Sequence, residues 1–213
     1  MPRRSPRKVD PALDLERHLR TFEQLPQPWD AEAVFGASRP LEVELGTGKG
    51  LFLSAAASAD PTTNFLGLEV SGKFAQYAAS RLARRGLDNA CVVSGDGLRV
   101  FREILPAASC RAVHVYFPDP WWKARHRKRR VMCPAFLADV CRTLDSGGRL
   151  HFWTDVEEYF QTSLELLTQF PELQGPVAVA ERPPEHDLDY RTHFERRMRL
   201  HGQPIYRSEF VRA

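Results

Sequence analysis

The chain has 213 residues, 43% hydrophobic and 27% charged, which is enough for one soluble domain with a sizeable core and shows no internal repeat. Its formal net charge of +3, from 30 basic and 27 acidic side chains, is too small to name a partner, so any electrostatic signal must lie in local clusters. No apolar run is long enough to span a bilayer, the opening lacks the apolar core of a signal peptide, and the four cysteines (Cys91, Cys110, Cys133, Cys141) have no CxxC or zinc-like spacing, so reduced thiols in a cytoplasmic protein are the expectation.

A basic, proline-rich opening with Arg3, Arg4, Arg7 and Lys8 reads as disordered. Leu13, Leu15, Leu19 and Phe22 among charges predict a surface helix over Pro11 to Leu25, ended by Pro26 and Pro28. Another short helical turn fits Trp29 to Phe35. Residues 1–40 thus form a leader, and a single domain is expected over 41–213. That domain opens with LEVEL from Leu41, the glycine turn GTGKG at Gly46 to Gly50, and the helical LFLSAAASA up to Asp60-Pro61. Strand, glycine turn and helix make the first unit of a doubly wound α/β sheet. Phe65 to Val70 is the second strand, followed by a helix from Ser71 to Arg85 that Gly86 stops. Cys91 to Ser94 is the third, followed by Gly95-Asp96-Gly97 and a short helix to Leu105. Ala112 to Tyr116 is the fourth strand. Pro134 to Leu144 is a helix with proline in its first turn. Gly147-Gly148 turns the chain into a fifth strand, Leu150 to Thr154, and Asp155 is placed to cap a helix from Val156 to Phe170. Val177 to Ala180 and Ile205 to Val211 close the chain as strands. Between them Pro183 to Gly202 reads as a functional loop with a short helix. The alternation argues for a mostly parallel sheet covered on both faces.

In such a sheet, ligands bind at the carboxyl ends of the strands. Each of the first five predicted strands ends near an acid: Glu44, Glu69, Asp96, Asp119 and Asp155. Gly46, Gly48 and Gly50 give GxGxG, a weak match to the dinucleotide pattern GxGxxG. Glu44, two residues before the turn, would repel a pyrophosphate but suits a cation. S-adenosylmethionine fits, carrying a sulfonium, an ammonium and no phosphate. Glu69 could bind its ribose diol, Asp96 its adenine amino group, and Glu44 its methionine end or the glycine loop. Asp119 lies between two prolines and launches the run FPDPWWKARHRKRR, in which Lys123, Arg125, His126, Arg127, Lys128, Arg129 and Arg130 follow Trp121 and Trp122. Cations neutralise phosphates and aromatics stack on bases, so this run points to nucleic acid. A solvated basic loop is the plain alternative. Thr192 to Glu195 also reads as a capping box. His114, His151, His193 and His201 offer no metal-like pair, and no metal is expected.

In order and spacing, VELGTGKG, LGLEV, SGDG, FPDPWWKARHRKRR, WTD and THFE resemble the bacterial tRNA (guanine-N7)-methyltransferases. The resemblance covers Leu41 to Phe210; the run from Asp119 to Arg130 is its specific part, and it departs from the family at Trp122, where members more often carry proline or histidine. It implies a Rossmann-like class I sheet of seven strands with an antiparallel last strand, and methyl transfer from S-adenosylmethionine to a guanosine at position 46, in the tRNA variable loop. It further implies that Glu44, Gly46, Gly48, Glu69, Asp96 and Asp119 bind the cofactor, with Asp119 also catalytic. Lys123, Asp155, Thr192, His193, Phe194 and Glu195 would contact the substrate, and Arg125 to Arg130 the RNA. Guanine N7 has an in-plane lone pair and no proton, so the chemistry needs alignment and negative potential rather than a general base. Methylation of another RNA base or of protein, and an inactive RNA-binding module, are the competing readings. Monomer and homodimer both remain open.

Overall fold

A strand from the leader, Leu19–Thr21 (β1), opens the order of elements, where the sequence pattern predicts helix. The structure, a computed structural model, describes residues 5–179 and 192–213, so Arg3 and Arg4 lie outside it. Two compact units divide the chain, Met1–Ile104 and Leu105–Ala213.

In the first unit α1 (Ala31–Phe35) is followed by β2 (Leu41–Leu45), α2 (Leu51–Ala59), β3 (Asn64–Glu69), α3 (Gly72–Arg84), β4 (Ala90–Ser94) and α4 (Gly97–Arg99). A π-helical turn over Val100–Ile104 continues α4. The strands pair in parallel in the order β1-β4-β3-β2. Every residue of β3 is buried, as expected of a parallel strand covered on both faces. Ala75, Ala78, Ala79 and Leu82 of α3 recur at helical spacing and pack with Leu53, Phe65 and Val92 in one core. Small side chains there admit the glycine turn closely: a Cβ on Gly50 would stand 2.9 Å from the Ala78 Cβ.

The helix expected over Pro11 to Leu25 does not form. Asp10 and Asp14 accept from the amides of Ala12 and Glu16, closing local turns that compete with helix. The chain then spends its backbone on the sheet edge, where the Val92 amide donates to the His18 carbonyl at 2.9 Å and Leu19 registers with Val92. Leu15 and Leu19, the apolar residues that suggested a helix, pack against the core from a single turn and from the strand that follows it. Asp30 caps α1 through the amides of Glu32 and Ala33, close to the turn expected there.

The second unit contains β5 (Cys110–Tyr116), a 3-10 helix (Ala124–Arg129), α5 (Pro134–Thr143), β6 (Leu144–Thr154), α6 (Glu157–Leu167), β7 (Leu173–Val177), α7 (His193–Leu200) and β8 (Tyr206–Arg212). The order is β5-β6-β8-β7, with β5 and β6 parallel and β8 antiparallel to both β6 and β7. The turn expected at Gly147-Gly148 lies inside β6 as an irregularity, since Cys110 pairs with Leu144 and Ala112 with Arg149. Strand β7 begins earlier than the predicted Val177 because Leu173 is its buried anchor, while Val177 is exposed. Ala180 and most of the predicted polar loop, through Arg191, lie outside the described residues. Among the described residues there are eight strands rather than seven, because the leader contributes β1. The mixed, mostly parallel α/β class agrees with the sequence.

Candidate active site

The parallel register of the first unit brings its acids to one end of the sheet. Glu44 registers with Gly67, Glu69 with Ser94, and Asp96 follows two residues after β4 ends. The glycine turn is held against β3: the amides of Gly46 and Thr47 both donate to the Leu68 carbonyl, at 2.8 and 3.1 Å. Gly46 has a φ of +83°, which disfavours any side chain, and open space where its Cβ would be. Glu69 is buried and ties two segments together. Its Oε2 accepts from the Gly48 amide at 2.8 Å and its Oε1 from the Ser71 amide at 2.9 Å. Each carboxylate oxygen can accept more than one hydrogen bond, so these contacts are compatible with a diol. Glu44 is 3% exposed and accepts from the Thr47 hydroxyl. Burial, reinforced by the charge of Glu69 and opposed by the Thr47 hydrogen bond, pushes its carboxyl up to about 8. Asp96 is exposed and caps α4 through the Leu98 amide.

This donor set discriminates between nucleotides. The Gly48 amide, which a pyrophosphate would want, already faces a carboxylate. The buried Glu69 carboxylate beside the turn would repel a phosphate, whereas a cation is favoured there and also at Glu44, whose carboxyl can ionise beside it. The residues therefore fit S-adenosylmethionine and do not fit a dinucleotide. Val70, just past Glu69, is 77% exposed, an apolar surface that the sequence reading did not single out. The available signal was a β-branched residue directly after a strand-end acid.

In the second unit the acid-and-cation run begins under strain. Phe117 (φ +50°) and Trp121 (φ +47°) adopt left-handed backbone, uncommon for large side chains. The buried Phe117 is held by its amide, which donates to the Trp153 carbonyl at 2.8 Å, and by the Phe194 ring, 4.8 Å away between centres. The pair of reversals turns Asp119 outward, where it is exposed between Pro118 and Pro120. Trp121 packs within the arm, with His126 edge-on at 5.8 Å and the Arg129 guanidinium 5.0 Å from its ring centre. Trp122 is 69% exposed. Lys123 starts the 3-10 helix, on which Arg125, Arg127, Lys128 and Arg129 are exposed and His126 is half-buried. Arg130 closes that helix and differs from its neighbours, with a largely buried side chain paired to Glu158.

Asp155 follows the buried end of β6 but does not cap α6, contrary to expectation. Val156 is the capping residue, without a side-chain bond, and its amide donates to the Thr154 hydroxyl at 3.2 Å. The helix starts one residue too late for the aspartate to reach it. Thr192 does cap α7, accepting from the Glu195 amide at 3.0 Å. Glu195 is 2% exposed and pairs with Arg199 at 3.0 Å, with Arg207 at 3.7 Å. Arg207 in turn lies over the Trp153 ring. Phe194 packs between Phe117 and the Arg197 guanidinium. His193 begins the helix. His114 and His151 stack in the core, 4.6 Å between ring centres. No group of three or more side chains placed to hold a metal ion occurs among the described residues. No helix among them is long and apolar enough to cross a membrane.

A family model described as "Putative methyltransferase" matches residues 38–208. A tRNA (guanine-N(7)-)-methyltransferase of Rhodopirellula baltica is 46% identical over 213 residues, spanning 97% of this chain and 79% of that protein. The chain belongs to the tRNA (guanine-N7)-methyltransferase family. A second member, from Neisseria gonorrhoeae, is 36% identical over 87% of this chain and 77% of its own length. Solved structures share the fold at lower identity. The aminoglycoside resistance methyltransferase NpmB1 superposes with a TM-score of 0.58 at 19% identity, over 89% of this chain and 95% of its own. A SAM-dependent methyltransferase from Aquifex aeolicus gives 0.55 at 14% identity, over 86% and 90%. For this family member, the fold neighbours support the Rossmann-like sheet and nothing finer.

Proposed function

We propose that this chain transfers the methyl group of S-adenosylmethionine to guanine N7 in tRNA, at position 46 in the variable loop. Membership of the guanine-N7 family over nearly the whole chain carries the reading. The outward-turned Asp119 followed by an exposed cationic helix supports it. Glu44, Glu69 and Asp96 hold the cofactor, with the turn at Gly46 and Gly48 against it. S-adenosylmethionine, when bound, supplies an electrophilic methyl group. Glu69 takes the ribose diol, and Val70 offers an apolar face for the adenine. Glu44 answers the cationic end: a neighbouring positive charge draws the proton off its carboxyl and leaves an ion pair in a buried setting.

On the substrate side the residues have no proton to remove, because guanine N7 presents a lone pair. Asp119 acts through its charge, stabilising the ring as it becomes cationic. Asp155 and Lys123 contact the base. Arg125, His126, Arg127, Lys128 and Arg129 lie along the phosphates. Thr192, Phe194 and Glu195 act as a platform: the capped helix, the ring packed on Phe117 and the carboxylate gathering two arginines order the rim of the substrate region.

The deciding experiment uses cofactor labelled with tritium in its methyl group, offered with tRNA, DNA and protein in separate reactions. Label in tRNA alone, recovered as N7-methylguanosine after nuclease digestion and mapped to position 46 by cleavage at the methylated base, is the expected result. Label in another nucleoside, or in protein, would refute the reading.

A further inference from the structure

We propose that Arg130, though it ends the basic run, is a positioning residue for the Asp119 turn rather than a phosphate contact. Its side chain is 9% exposed, against 54% for Arg127. The guanidinium makes three hydrogen bonds. Nε donates to the Pro120 carbonyl at 2.8 Å, and the two terminal nitrogens grip the Glu158 carboxylate at 2.7 and 3.3 Å. Its flat face lies 4.5 Å from the centre of the Tyr159 ring. The buried Tyr159 reaches back, its hydroxyl accepting from the Met132 amide at 3.1 Å.

These partners connect two functional acids. Pro120 directly follows Asp119. Glu158 and Tyr159 lie in the first turn of α6, three and four residues after Asp155. A single planar group therefore fixes the Asp119 turn relative to the start of the helix that Asp155 precedes. The arm is held at Phe117 by the Trp153 carbonyl and at Arg130 by this latch, while residues 122–125 and 127–129 stay exposed for RNA. Charge accounting agrees. Glu158 pairs with Arg130 at 2.7 Å and more loosely with Arg127 at 3.6 Å, and the hydrogen bond from Arg130 is the main reason its carboxyl titrates below the usual range. A phosphate would have to displace that carboxylate from a largely buried site.

The two roles respond differently to lysine. A phosphate contact needs mainly a positive charge, which lysine keeps; the latch needs a planar fork with a third donor at Nε, which lysine lacks. The inference rests on the methyl-transfer reading, so the experiment separates the two. Arg130→Lys, Arg130→Ala and Glu158→Gln are compared with Arg129→Ala and the unmodified chain, in single-turnover methylation at saturating tRNA and cofactor, in tRNA binding across a salt series, and in limited trypsin digestion. Arg130→Lys and Glu158→Gln should each slow the chemical step by about 10–100-fold, the effect of a small misplacement of reacting groups. Arg130→Lys should bind tRNA with an unchanged salt slope, and both variants should be nicked faster in the arm. Arg129→Ala should instead weaken binding and flatten the log–log slope by about 0.7–0.9. Wild-type turnover in Arg130→Lys, or a salt slope about one unit flatter in Arg130→Ala, would overturn the latch. If the unmodified chain methylates no tRNA, the functional reading fails, and the digestion arm still decides the latch: equal nicking of all variants would sink it.

Discussion

Replacing Glu44 with glutamine asks whether an uncharged acid sits beside the glycine turn. Glu44 is buried, accepts from the Thr47 hydroxyl and faces the charge of Glu69, and its carboxyl is pushed from 4.5 up to about 8, chiefly by burial. In the unfolded chain the same group titrates near its ordinary value. The folded state thus binds the proton more tightly, so the stability this group contributes is fully present below about pH 4.5 and is lost as pH rises through about 8. At about 1.4 kcal/mol per pH unit of displacement, the ceiling is about 5 kcal/mol, and solvent relaxation around a buried charge lowers the realised effect to about 2–5 kcal/mol. Glutamine keeps the shape and an acceptor for Thr47 but cannot ionise. Urea unfolding midpoints measured from pH 5 to pH 9 should therefore fall for the native chain relative to Glu44→Gln, with the two converging at the acid end. A cationic ligand reverses the sign, since it favours the ionised carboxylate: cofactor binding near pH 7 should release a proton in the native chain and not in Glu44→Gln. Calorimetry in buffers of different ionisation heat reads that proton directly. Parallel pH profiles for the two proteins, with equal proton release, would refute the account of Glu44.

Glu69→Ala should weaken S-adenosylmethionine binding by about 1–3 kcal/mol by calorimetry, because the Gly48 and Ser71 amides lose their acceptor along with the diol contact, and NADH should not bind measurably. Replacing Arg125, Arg127, Lys128 and Arg129 together by alanine should flatten the salt dependence of tRNA binding by about 3 log–log units while leaving cofactor affinity within twofold; an unaltered slope would make the run a solvated loop. Asp119→Asn should slow single-turnover methylation by about 10²–10³-fold with tRNA affinity preserved, since only charge near the forming cation is removed. Turnover at the native rate would leave Asp119 as no more than the turn that launches the arm.

Much of this protein was legible from short stretches of chain. Buried parallel strands read as apolar runs, the glycine turn announced itself between Leu45 and Leu51, and the acids at the strand ends followed directly, because sheet periodicity and turn chemistry are properties of a few neighbouring residues. The segment from Asp119 to Arg130 was specific enough to name a family. Partner choice is different, because it depends on residues far apart in the chain. Leu15 and Leu19 have helical spacing, yet β4 offers that segment a sheet edge, and the edge wins. Asp155 has the chemistry of a cap, but α6 begins beyond its reach. The resemblance makes Glu195 a substrate contact, and the fold surrounds it with Arg199 and Arg207. Arg129 and Arg130 are identical letters in sequence; one is exposed beside Trp121 and the other is drawn inward by Glu158, Pro120 and Tyr159. Residue types alone determined which chemistry the chain can carry. Burial and long-range pairing, which exist only once the chain has folded, decided which of those residues remain available to perform it.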